Sequence, residues 1–174
     1  STRTGPTPHT CRCLGLYARR VARGREGLAA RQERVMALLP LLFHVIPPLL
    51  PGYVSGNTPA CVSHYEPSSA VLAEAQRLTR SFSHKPRHGP VPQPIHGLFL
   101  MGSLGTLAQA EQSDMDVWVC HDSELPAEAI AELRKKCQAL EAWAATLGAE
   151  AHFFLVDPQR FREGVRGTQL SSDD

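Results

Sequence analysis

The chain has 174 residues, 43% of them hydrophobic, and a formal net charge of +1. That length supports one ordinary domain with its own core, or a domain carrying an arm. The near-neutral balance, with a pI ≈ 7.7, excludes a global field that would hold the chain on nucleic acid or an acidic membrane, so any basic site must be local.

In chain order, residues 1–25 are dominated by Gly, Pro, Thr and Arg without a sustained apolar period, and a disordered or loosely attached arm is expected there. No apolar h-region follows its arginines, so a secretory leader is not expected. Residues 26–94 read as a helical segment and linker. From Glu26 to Val45, the residues Leu28, Val35, Leu38, Leu39 and Leu42 fall near helical spacing, with Pro40 as an expected break or kink. The most apolar run, MALLPLLFHVIPPLLPGY, is interrupted by Pro40, His44, Pro47, Pro48 and Pro51 and falls short of the roughly 20 apolar residues of a membrane span. A second helix is expected from Ser69 to Phe82, with Val71, Leu72, Ala75 and Leu78 as its inner stripe. The stretch SHKPRHGPVPQP that follows is a linker by composition.

Residues 95–174 alternate strand and helix signals, which predicts an α/β (α+β) core with a mixed sheet flanked by helices. Ile95 to Met101 reads as a strand, Ser103 to about Gln109 as a short helix, and Asp114 to Cys120 as a strand. From Pro126 to Leu147 a long helix is predicted: Pro126 suits the first turn, Ile130, Leu133, Cys137, Leu140 and Trp143 form the stripe, and Gly148 stops it. Ala149 to Val156 is the next strand, closed by Asp157-Pro158.

Asp114 and Asp116 occupy alternate positions of their strand, so both project from one face while Met115 and Val117 turn to the core. Two neighbouring carboxylates repel unless a cation lies between them, and hard divalent ions take such oxygen ligands together with phosphates. Asp-x-Asp alone is a weak signal that reads more readily as surface decoration or a turn. Its neighbours add to it: Gly102-Ser103 ends one strand at the mouth of a helix, where backbone N–H groups and the helix dipole favour an anion. By itself that pair also reads as a tight strand-to-helix turn capped by Ser103.

Strand, Gly-Ser, a ten-residue spacer and Asp-x-Asp resemble the signature of the polymerase-beta-type nucleotidyltransferase superfamily. Within it, GSLGTLAQAEQSDMDVWVCH, RKKCQALEAWAATLGAEAHFFLVDPQRFREG and LLPLLFHVIPPLLPGYVSGNTP resemble the N-terminal catalytic domain of the class I, enterobacterial-type adenylate cyclases, over about Val35 to Asp174. The resemblance implies a two-metal reaction on ATP: Asp114 and Asp116 ligate Mg²⁺ (or Mn²⁺), the ribose 3′-hydroxyl attacks the α-phosphorus, and pyrophosphate leaves to give cyclic AMP. It also implies a third carboxylate from the next strand, for which Glu150 is the choice and Asp157 the alternative; Glu150 as a solvent-facing strand residue stays open. Gly102 and Ser103 would hold phosphate, and Trp118, in phase with the acids, would border the nucleotide unless it is packing. Two other outcomes remain: nucleotidyl transfer to a protein or small-molecule hydroxyl, and a non-catalytic nucleotide-binding fragment.

The turn departs from the family pattern, with Leu104 and Gly105 where Ser and Thr are usual. The family's domain continues past Asp174 into further helices and a large regulatory region, so the core is expected to be truncated and contacts with regulatory proteins to lie in the missing part. The cysteines, Cys11, Cys13, Cys61, Cys120 and Cys137, have neither zinc-knuckle nor disulfide-framework spacing and read as reduced thiols of a cytoplasmic protein. No zinc is expected at Cys120 and His121. Lys85 and Arg87 read as a solvated loop within reach of phosphates, and Arg134, Lys135 and Lys136 as the wet face of the long helix.

Overall fold

A computed structural model of the chain describes residues 12–13, 28–86, 89–101, 115–162 and 168–169. Helix α1 (Leu28–His44) buries Val35, Met36, Leu38, Leu39, Leu41, Leu42 and Phe43. A helix apolar on nearly all sides belongs inside a core, and that enclosure explains why the chain passes through Pro40 in helical form instead of breaking there. The missing N–H and ring clash cost about 3 kcal/mol in a helix interior, which the packing on either side outweighs.

A loop returns from α1 along the outside of the core. Gly52 takes φ +83°, and a Cβ there would stand 2.7 Å from Cδ2 of Leu140, so both backbone and space require glycine. Further on, Ser55 Oγ and Thr58 Oγ1 donate to Glu132 Oε2 at 3.0 and 3.1 Å, tying the loop to the long helix. Helix α2 (Ser69–Leu78) starts at Ser68, whose Oγ accepts from Val71 N at 3.2 Å. It ends four residues short of the sequence expectation because Thr79 is extended, with φ −146°. Leu78, expected on the inner stripe, is 44% exposed; Ala75 alone of that stripe is fully buried.

The sheet has five strands in the order β1 (Arg12–Cys13), β2 (Ile95–Met101), β3 (Met115–His121), β4 (Ala151–Val156) and β5 (Thr168–Gln169). β2 and β3 are antiparallel and β3 and β4 parallel, with α3 (Ala127–Thr146) as the connection between the latter two. Three strands thus form a mixed sheet, and the two-residue strands pair at its edges. β1 falls within the segment expected to be an arm, and the remainder of 1–25 lies outside the described residues. A short helix α4 (Pro158–Arg162) follows β4, with Asp157 Oδ1 accepting from Gln159 N at 2.9 Å.

Alternation decides which face is covered. Met115, Val117 and Val119 of β3 and Ala151, Phe153 and Leu155 of β4 face the core with α1 and with Leu133, Cys137, Leu140 and Ala144 of α3. Phe43 of α1 meets Phe153 with ring centroids 5.9 Å apart. Helix α3 spans Ala127–Thr146 with Pro126 in front and Gly148 at φ +76° behind it, as its end signals predict. Glu141 from this helix accepts from Phe153 N at 3.0 Å, supplying an acceptor to a strand N–H. None of the described helices is long and apolar enough to cross a membrane.

Lys136 overturns the reading of the basic cluster as wholly solvated. It is 2% exposed, with Nζ 5.7 Å from the centroid of Phe43. The reason is helical geometry: 136 lies three residues after Leu133 and four before Leu140, so it shares their stripe. Burial holds its ammonium pKa down at about 8. Burial, reinforced by the nearby Glu141, likewise pushes the Cys137 thiol up.

Candidate active site

The outer face of the sheet is built by the residues between the core positions. Pairing sets Met101 of β2, Asp116 of β3 and His152 of β4 in one transverse row, and Phe99, Trp118 and Phe154 in the next. All six are partly exposed. Because directly paired residues project to the same side, Asp116 and His152 are neighbours on this face.

Glu150 is drawn to the same row. Its carbonyl accepts from Met115 N at 2.8 Å, which sets its backbone beside the residue preceding Asp116. Its Oε1 lies 3.4 Å from Nε2 of His152, and the Glu150 side chain is 65% exposed. Asp116 and Glu150 therefore occupy the same end of two adjacent parallel strands, above the same side of the sheet. Asp157 stands at the opposite end of β4, occupied as a helix cap through two backbone contacts. That separation favours Glu150 over Asp157 as the partner of Asp116.

Gly102, Ser103 and Asp114, with the short helix expected from Ser103 to Gln109, lie outside the described residues. What the structure gives is their attachment: β2 leads into this segment at Met101, β3 resumes at Met115, and the two ends are held together by the Met101↔Asp116 pair. Trp118 is one pleat from Asp116 on the same face. Among the described residues no cluster of three His, Cys, Asp or Glu side chains is arranged to hold a metal ion. The described donors Asp116 and Glu150 offer carboxylate oxygens, the kind that suits a hard divalent cation.

Two residues escaped the sequence reading: His152, beside Asp116, and Glu132, on α3. His152 could have been found as the alternate of Glu150 on a strand. Glu132, the anchor of the 55–58 loop, had no signal of its own in the sequence. Cys61 and Cys137 are free thiols, while Arg87 lies outside the described residues and Lys85 is exposed in the linker.

A three-stranded mixed sheet, covered by helices on one side and carrying acids at one end of the other, defines an α+β domain with an acidic site. The chain belongs to the adenylate cyclase N-terminal domain family, whose model matches residues 9–174. The match begins within the first thirty residues, where the sequence showed no resemblance. The chain is 39% identical to an adenylate cyclase of Salmonella typhimurium over 156 residues, covering 89% of this chain and 18% of that protein. Its identity to the adenylate cyclase of Escherichia coli K12 is also 39%, over 158 residues with the same coverage. With that of Proteus mirabilis it is 38% over 144 residues, 82% of this chain and 16% of the relative. The chain thus spans less than a fifth of the length of these relatives. No solved structure matches it.

Proposed function

We propose that this chain is a segment of the catalytic domain of an adenylate cyclase of the nucleotidyltransferase type, forming cyclic AMP and pyrophosphate from ATP. The observation that carries the proposal is the register of β3 and β4, which sets Asp116 and Glu150 at one end of the sheet's outer face in a chain 39% identical to named adenylate cyclases. In domain terms, residues 95–174 form the nucleotidyltransferase-like core and residues 26–94 its helical support.

The donor set fits Mg²⁺ or Mn²⁺: Asp116, with Asp114 as its alternate in sequence, would hold the ion, which when bound supplies charge neutralisation at the phosphates. Asp116 serves the reaction by presenting a carboxylate from a strand fixed on its other side by Met115 and Val117, both fully buried. Glu150 takes or positions the proton of the ribose 3′-hydroxyl as that oxygen bonds to the α-phosphorus and the bond to pyrophosphate breaks. Gly102 and Ser103 give backbone and hydroxyl donors to the phosphate oxygens, on which negative charge gathers in the transition state. Trp118 borders the nucleotide from the next row.

The test uses the full-length protein, labelled ATP and added Mg²⁺, with separation of the products. Cyclic AMP is expected, and Asp114→Asn or Asp116→Asn should each lower its formation by on the order of 10³-fold without changing the unfolding midpoint. A labelled acceptor in place of cyclic AMP would identify nucleotidyl transfer instead. Turnover retained in either variant overturns the carboxylate assignment.

A further inference from the structure

A concavity lies away from the acid row. It has a volume of about 880 Å³ and is bounded by the end of α1, the proline-rich turn after it, and linker residues on either side of 87–88, from Thr79 to Pro86 and from Gly89 to Gln93. Cavities of roughly 300–1,000 Å³ are the usual size of small-molecule sites. Its wall is joined to the start of β2, since Cys61 O accepts from Ile95 N at 3.3 Å. Asp116 pairs with Met101 at the other end of that strand, six residues on and therefore about 20 Å away at about 3.4 Å per residue.

Three features mark the cavity as built. His44 Nδ1 accepts from Val62 N at 3.0 Å, which puts the proton of the neutral ring on Nε2. Tyr65 stands edge-on to that ring at 5.2 Å, and His84 from the linker lies 6.3 Å from it on a tilted plane. Cys61, in the wall, takes φ +87°, and His64 three residues on takes φ +56°. Non-glycine residues in this conformation cost of order 1–3 kcal/mol, and they gather where a binding site fixes the backbone.

We propose that this cavity binds a small organic oxyanion whose apolar body rests on Val45, Pro47, Phe82 and Val91. The polar wall supplies donors and positive charge: the Lys85 ammonium, the imidazoles of His44 and His84, and the Tyr65 hydroxyl. Among the described lining residues Glu66 is the one carboxylate, and it is exposed. Donors over an apolar floor select a carboxylate or a phosphate in preference to a cation or a neutral hydrocarbon. The proposal is independent of the chemistry at Asp116.

The histidine ring signals in ¹H–¹³C spectra, with sodium phosphate and sodium acetate titrated separately at constant ionic strength, test it. His44 and His84 should shift saturably while His121 and His152 stay in place. A response to phosphate alone assigns a phosphorylated ligand, a response to acetate alone a carboxylate, and a response to both any oxyanion. The double variant His84→Gln, Lys85→Gln, confined to the linker, should weaken the His44 response roughly tenfold, with unchanged His121 and His152 signals reporting an intact fold. Absence of a saturable shift, or an affinity unchanged in the double variant, overturns the proposal.

Discussion

On the inner side of β3 and β4, Met115, Val117, Val119, Ala151, Phe153 and Leu155 are at most 5% exposed, whereas their alternates Asp116, Trp118, Cys120, His152 and Phe154 keep part of their surface in solvent. The two sides are made by the same twelve or so residues of chain, read in alternate phase. One phase anchors the strands and the other displays acids on them. A slip of one residue would carry Asp116 into the apolar layer and Val117 out of it, so the burial of the inner row is what holds the acidic row in register.

The adjacent pair Phe153 and Phe154 offers the sharpest way to break that comparison. Phe153→Ala, which empties the position against Phe43, should cost about 3–5 kcal/mol in urea unfolding. Phe154→Ala, on the open side, should cost only about 1 kcal/mol. Equal costs would mean that the outer face is as tightly packed as the inner one.

Lys136 is a buried ammonium within the inner layer, and its removal is expected to stabilise the chain. Its folded pKa of about 8 lies below the ordinary 10.5, so the unfolded chain holds this proton more tightly. The cost is fully present below about pH 8 and fades as pH rises through about 8 to 10.5. Lys136→Met should therefore raise stability at pH 7 by up to about 3 kcal/mol. The gain over the parent chain should shrink on going to pH 10, as read from unfolding midpoints at the two values. A variant less stable than the parent at pH 7 would show that the cation–ring contact outweighs the burial.

The smallest effect is expected in the 55–58 loop. Thr58→Val removes one of the two hydroxyl donors to Glu132 and leaves Ser55 in place, so a loss of about 1 kcal/mol is expected. The unfolding slope should not change, because the loop's tether is shortened rather than lost.

Much of this architecture was readable from residue order. Ile95–Met101 matches its expected strand, and the long helix begins after Pro126 and ends before Gly148, because proline and glycine act on the backbone wherever they stand. The phase of Met115, Asp116 and Val117 was also readable, since two-residue alternation needs no partner to be seen. Leu78 and Lys136 were misread, and the break offered as one outcome at Pro40 did not occur, for one shared reason: what each does depends on what packs against it. Pro40 is tolerated inside a buried helix, Leu78 is left at a helix end beyond its cover, and Lys136 is carried inward by the leucines on either side of it.

Local chemistry therefore determined the elements, the acid-bearing strand and the family to which the chain belongs. Tertiary structure alone decided that Glu150 and His152 stand beside Asp116 and that Asp157 does not, because strand register is fixed by the packing of the opposite face. It also decided that His44, Tyr65 and His84, up to forty positions apart in the chain, wall a common cavity. Contacts between distant segments arise from burial of shared surface, and residue order carries no local sign of them.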